Sequence, residues 1–302
     1  MRVHLFFIAF FICVSAFSQS NSLKKETLIY EDTLGLDVYY SKSDKTPRPL
    51  LVYVHGGGFS GGERDHPDHI RFCQRYAERG WTTATISYHL TRKGKGFSCD
   101  APTQEKISTI KTAAQNTHQA IAFLIDRADK YRIDPSRVVL VGSSAGAEAV
   151  VQAVYWRETM KGILPEDFEY AGVVSMAGAL IDINWITEET AIPAAFYHGT
   201  CDPLVPYGNA AHHYCDPEKD GFLMLHGSYS MAQKLIDLGK QYFLVTDCGG
   251  GHEWSSKPID DKHISLLDDF LENDVLKGSK RQTHLVLSEG KRKCPQRTDL
   301  CE

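Results

Sequence analysis

Residues 137–156 hold a buried-strand pattern, a tight turn and a helical pattern in direct succession, and no other stretch narrows the fold as much. Arg137-Val138-Val139-Leu140-Val141 is an apolar, β-branched run of the kind found in a sheet covered on both faces. Gly142-Ser143-Ser144-Ala145-Gly146 follows it, and Ala145 to Trp156 reads as a helix. A strand that turns straight into a helix needs small residues around the corner, because the backbone there is strained and glycine tolerates strain at low steric cost. The corner lifts the central hydroxyl, Ser144, out of the sheet and toward a ligand. Ser143 competes with it, but the G-x-S-x-G register leaves Ser143 at the variable position.

Three further stretches stand in the same relation to strand ends. His55-Gly56-Gly57-Gly58-Phe59 directly follows the apolar run Leu50-Leu51-Val52-Tyr53-Val54. Asp202 lies in Tyr197-His198-Gly199-Thr200-Cys201-Asp202-Pro203-Leu204-Val205-Pro206, and His252 closes Gly249-Gly250-Gly251-His252. The chain order is glycine loop, serine, aspartate, histidine, and an open α/β sheet gathers its ligands at such strand ends. In these motifs and their order the chain resembles the α/β-hydrolase superfamily, over roughly residues 24 to 275. Within it, the motifs are similar to those of bacterial carboxylesterases, the acetyl xylan and feruloyl esterase-like members in particular. The resemblance implies an α/β-hydrolase fold, a mostly parallel sheet with helices on both faces.

The expected chemistry is carboxylic ester cleavage through an acyl-enzyme, by a serine esterase. A serine hydroxyl is a poor nucleophile without a base in reach, so Ser144 needs one. His252 fits that role: imidazole titrates near pH 6.5, and three glycines before it allow a tight loop over the serine. His263 is the runner-up among the 13 histidines but sits in a helical pattern. Asp202 is the expected orienting acid, weighed against a turn aspartate before Pro203 and against Asp182, Asp247 and Glu253. Gly57, Gly58 and the Ala145 amide are the expected oxyanion hole, since bare backbone donors stabilise the tetrahedral oxygen without reorganising. A phosphate-binding loop is the competing reading of the glycines, but no Gly-Lys-Ser/Thr follows. His55 reads as structural. Phe59, Tyr88, Trp185 and Trp254 are candidates to line the cleft, each as readily a core residue. Where the resembled family often carries a second glycine after the elbow and then a small residue or histidine, this chain has Ala147 and Glu148, so Glu148 is either a surface charge or a group below the nucleophile.

No metal and no organic cofactor is expected, as no cysteine–histidine cluster has zinc-like spacing. The formal charge is −5, or −6 without Arg2, which argues against a nucleic-acid surface. Residues 1–18 read as an export signal, with Arg2, the apolar run Leu5–Val14 and small residues before a cut after Ser18. Ile12 is bulky where a lipid-attachment signal at Cys13 wants a small residue. The run is short for a bilayer span, so stable membrane insertion is not expected, and the chain should be periplasmic or secreted. The partner expected is a small-molecule or polysaccharide-linked ester.

Seven cysteines follow the signal, an odd number, so at least one lacks an internal partner. Cys201–Cys248 would brace the aspartate and histidine loops, and Cys294–Cys301 would close the tail. Residues 24–30 and 34–41 alternate as an antiparallel edge pair. Helices are expected at 67–79, 103–132, 226–238 and 261–274. Residues 207–224 form an insertion that either caps the cleft or is a surface loop. The catalytic domain is expected over 19–277, and residues 278–302 form a basic, cysteine-containing, loosely docked tail. Three rivals use the same framework: a serine peptidase of the prolyl-peptidase type, whose propeller the chain has no length for, a lipase, whose larger apolar lid the polar 91–102 and 207–224 loops do not supply, and a non-catalytic binding protein on a hydrolase scaffold.

Overall fold

The computed structural model describes residues 23–42, 45–294 and 299–301. Residues 1–18, which read as an export signal, lie outside the described residues. Nine strands form one sheet. In chain order its members are β1 (Leu23–Glu31), β2 (Leu34–Ser41), β3 (Arg48–Val54), β4 (Thr82–Ile86), β5 (Ile133–Ser143), β6 (Gly172–Met176), β8 (Ala194–Gly199), β11 (Tyr242–Asp247) and β12 (Gln282–Leu287). Three short strands, β7 (Ala179–Leu180), β9 (Asn209–Ala211) and β10 (Met224–Gly227), make a separate antiparallel sheet. The helices are α1 (Pro67–Glu78), α2 (Thr103–Ile125), α3 (Ala128–Tyr131), α4 (Ala145–Tyr155), α5 (Ser228–Asp237) and α6 (Ile264–Asp269).

The main sheet runs β1-β2-β4-β3-β5-β6-β8-β11-β12. Pairing is antiparallel from β1 through β2 to β4 and parallel from there on. The parallel strands are apolar on both faces, so alternate residues feed two cores. Val52, Val54, Leu140 and Val173 pack toward α2, α4 and α5, while Leu51, Tyr53, Val141 and Val174 pack toward α1 and α6. This is the mostly parallel sheet with helices on both faces that the strand–helix alternation predicts.

Three expectations need correcting. The helix over 103–132 is interrupted: at Arg127 the backbone leaves the helical region (φ −114°), and its guanidinium turns back to the Phe123 carbonyl at 3.0 Å and over the Phe123 ring. The helix over 261–274 starts at Ile264 and widens into a π-helical turn from Phe270 to Leu276. The tail after Gly278 is not a loosely docked appendage. Its residues 282–287 pair along the whole of β11, and Glu289 and Gly290 donate their amides to Asp247 Oδ1 at 2.7 and 3.1 Å.

The disulfides differ as well. Cys201 pairs with Cys294, Cys248 with Cys301, and Cys99 with Cys215. Cys73 is free and buried. Cys201 and Cys248 do end neighbouring strands, but the tail crosses back over those ends, with the Arg292 amide on the Gly249 carbonyl at 3.0 Å, and takes both partners. The insertion at 207–224 is folded rather than a surface loop: it contributes β9, and Cys215 anchors it to the 91–102 loop.

Candidate active site

The corner after β5 places Ser144 at φ 51°, ψ −120°, in the left-handed region. Its amide donates to the Met176 carbonyl at 2.9 Å and its carbonyl accepts from the Glu148 amide at 2.9 Å, so both strand β6 and helix α4 hold the turn. A Cβ on Gly142 would run into the Gly146 carbonyl, and one on Gly146 into the carbonyls of Val54 and His55. The two outer residues of the motif are glycines because backbone from three segments meets there. Strain of about 1–3 kcal/mol at such a residue persists only where the surroundings over-determine it.

Ser144 Oγ lies 2.8 Å from His252 Nε2, and His252 Nδ1 lies 2.7 Å from Asp202 Oδ2. Asp202 Oδ1 accepts the amides of Leu204 and Val205 at 2.8 and 3.0 Å. His198 Nε2 stands 3.2 Å from Asp202 Oδ2, and its Nδ1 is fixed on Ser228 Oγ at 2.8 Å. Burial alone would push the Asp202 carboxyl up, but hydrogen bonds and charge from His198 and His252 outweigh it and hold it well below the usual carboxylate range. An ionised acid thus faces the inner nitrogen of an imidazole whose outer nitrogen faces a serine hydroxyl. Such a line can draw a proton from that hydroxyl and steady the imidazolium that results.

The competing groups are engaged elsewhere. His263 bonds Asp260 Oδ1 at 2.8 Å and faces Glu289. Asp182 caps a short turn through the Asn184 amide. Asp247 takes the Trp254 indole at 2.8 Å, and Glu253 takes the Gly251 amide at 2.9 Å. Ser143 is engaged with Tyr53.

Gly57, Gly58 and Ala145 border the same cleft as Ser144 and His252. Gly57 has φ +118°, and a Cβ there would strike Gly61. The Gly57 carbonyl accepts from Ser60 and Gly61 at 3.1 and 3.0 Å, which leaves the loop rigid. His55 is structural, as expected: its ring stacks on Tyr88 at 4.5 Å, and Tyr88 Oη donates to the His55 carbonyl at 2.9 Å.

The cleft has a volume of about 900 Å³, within the range of small-molecule sites. Phe97, Glu148, Leu204, Val205, His212 and His213 form one part of its wall, and Tyr53, Glu63, His66, Asp68, His69 and Ile259 another. None of the four aromatic candidates lines it. Phe59 is fully buried against Tyr88 and Phe97, so it supports the glycine loop from behind, and Tyr88 does the same through His55. Trp254 is buried in the core near α6, and Trp185 stacks on Trp156 at 4.6 Å. Residue type marked them as aromatic, but which face of the loop or sheet they occupy decided their place.

Sequence reasoning missed His198, while His212 and His213 belong to the 207–224 insertion, whose capping reading their place in the cleft wall favours. The insertion that carries the last two bends through consecutive left-handed residues, His213 and Tyr214, at φ 56° and 52°. Burial pushes His213 down to about 4. Among the described residues no group of histidine, cysteine and acidic side chains could hold a metal ion, and no helix is long and apolar enough to cross a membrane.

A family model described as BD-FAE matches residues 36–169, which takes in the glycine loop and Ser144 but ends before Asp202 and His252. Gut esterase 1 of Caenorhabditis elegans is 30% identical over 157 residues, covering 52% of this chain and 25% of that protein. Chlorogenic acid esterase of Aspergillus niger is 26% identical over 155 residues, covering 49% and 28%. The chain thus spans about a quarter of the length of these curated relatives. Among solved structures, the apo form of Thermogutta terrifontis esterase 2 superposes with a TM-score of 0.60 at 18% identity, over 82% of this chain and 94% of that one.

Proposed function

We propose that this chain, an α/β-hydrolase by fold, is an exported serine esterase that cleaves carboxylic esters through an acyl-enzyme. The observation that carries the reading is the unbroken line Ser144 Oγ–His252 Nε2 at 2.8 Å and His252 Nδ1–Asp202 Oδ2 at 2.7 Å, opening on a cleft bordered by glycine amides. Ser144 Oγ attacks the ester carbonyl while His252 takes its proton. The carbonyl oxygen gains negative charge, which the amides of Gly57, Gly58 and Ala145 stabilise; such a donor contributes roughly 3–4 kcal/mol. The tetrahedral centre collapses, the alkoxy C–O bond breaks, and His252 returns its proton to the leaving alcohol. Water then attacks the acyl-enzyme by the same route, releasing acid and restoring Ser144.

For the substrate we infer acetyl or feruloyl-type esters on plant polysaccharide. The similarity to the BD-FAE family and to a chlorogenic acid esterase supports this. The export signal read at residues 1–18 suits a substrate met outside the cell.

The test is hydrolysis of p-nitrophenyl acetate, butyrate and octanoate, a feruloyl ester and acetylated xylan, by wild type and Ser144→Ala. Ser144→Ala should lower turnover by about 10³-fold or more while melting at the wild-type temperature. A folded wild type that leaves every ester intact and cleaves a peptide panel would hand the site to the peptidase reading.

A further inference from the structure

Glu148 and His212 are both buried, both border the cleft, and neither side chain makes a hydrogen bond among the described residues. Glu148 Oε1 and His212 Nδ1 are orphaned. Glu148 lies one helical turn beyond Ser144 on α4, its amide bonded to the Ser144 carbonyl. Its Oε1 is 3.6 Å from His212 Nε2, beyond a direct hydrogen bond. Phe97 packs on the His212 ring at 5.2 Å, and the Lys106 ammonium is committed to the Gly221 carbonyl at 2.6 Å.

Buried polar groups are nearly always paired, so two polar side chains without partners that border one cleft leave hydrogen-bonding capacity for a ligand seated there. Burial pushes the Glu148 carboxyl up to about 8, and Lys106 only partly opposes it, so the group keeps its proton at neutral pH. Burial likewise holds the His212 ring uncharged. A neutral acid and a neutral imidazole offer both donor and acceptor and no net charge. That chemistry suits a hydroxyl and disfavours a cation or a carboxylate.

We propose that Glu148 and His212 form a subsite for a hydroxyl group of the ester substrate, and so select hydroxylated esters over their deoxy counterparts. The inference rests on the ester-hydrolase reading of the same cleft. A site built to hydrogen-bond a hydroxyl rejects the analogue lacking it far more strongly than an apolar pocket rejects a size change.

The test compares kcat/KM within two matched pairs, one for each side of the ester: p-nitrophenyl 3-hydroxybutyrate against p-nitrophenyl butyrate, and 2-hydroxycyclohexyl acetate against cyclohexyl acetate. Wild type should favour the hydroxylated member of at least one pair by about 10-fold or more. Glu148→Leu and His212→Phe should each bring that ratio to within about 3-fold of unity, while Glu148→Gln, which still donates and accepts, should keep most of it. Should Glu148→Leu fail to fold, His212→Phe decides. A wild type indifferent to the hydroxyl in both pairs, or a preference that survives in the folded apolar variants, overturns the subsite and leaves the pair as a water-filled structural feature. A wild type that hydrolyses none of the four esters overturns the underlying reading instead.

Discussion

Glu148 links the site to the stability of the chain. Its carboxyl is raised from near 4.5 to about 8 by burial. Below pH 4.5 it is protonated whether the chain is folded or not. Between about 4.5 and 8 the unfolded chain releases a proton that the folded one keeps, so stability present at low pH drains away as pH rises through that window. The loss is on the order of a few kcal/mol. Melting temperatures at pH 5 and pH 9 should therefore fall further apart for wild type than for Glu148→Gln; equal slopes would remove Glu148 as the source. Asp202 acts in the opposite sense on the reaction. Asp202→Asn keeps the shape but loses the charge facing His252 Nδ1, and kcat should drop by about 10⁴-fold in stopped-flow or steady-state assays. The convergence of Ser144, Asp202 and His252 was legible because each follows a strand in a fixed order. Glu148 stood out only as a departure with two readings open, and His198 not at all, since such roles depend on neighbours distant in sequence: His212 meets Glu148 across 64 positions.

At the level of elements, the turn from β5 into α4 is the most constrained piece of the fold. Gly146→Ala pushes a methyl group into the Val54 and His55 carbonyls, and overpacking of that kind costs about 1–3 kcal/mol. The displaced backbone would also move Ser144 from His252. Both a lower urea midpoint and lower turnover are expected, whereas an unchanged midpoint would mean that β3 can yield. The glycines of this corner announce their purpose in the sequence. The break at Arg127 does not: the apolar spacing continues through it, although the backbone there leaves the helical region and the side chain folds back on the Phe123 carbonyl. The strand pair β1–β2 was readable from alternation alone, while β7, β9 and β10 are too short to carry a period.

For the molecule as a whole, the sheet does not end at β11. The ninth strand and one partner of each of two disulfides come from the basic segment that read as a loosely docked tail. Four of its six strand residues are partly covered and two are exposed, so the alternation that marks a strand with one buried face is diluted. A chain starting at Gln19, unfolded without reductant, should show one reactive thiol, Cys73, and seven after reduction. Cys294→Ser should cost about 2–5 kcal/mol, read from the denaturation midpoint. It should also lower kcat, because Cys201 adjoins Asp202. Three titratable thiols before reduction in the wild type would dissolve one of the bridges.

The Cys201–Cys294 bond spans 93 positions, and that separation has a temporal meaning. A chain is made from its amino end, so the aspartate's loop exists long before the residue that clamps it. Contacts so far apart must wait for the intervening segment to be organised. Ser144 and its glycine loop can take shape early, but the acid is secured only when residue 294 has arrived and been oxidised. Competence is thereby tied to completion: a partly made or still-reduced chain carries a formed nucleophile with an unclamped acid, and reaches full power only as its sulfur chemistry finishes.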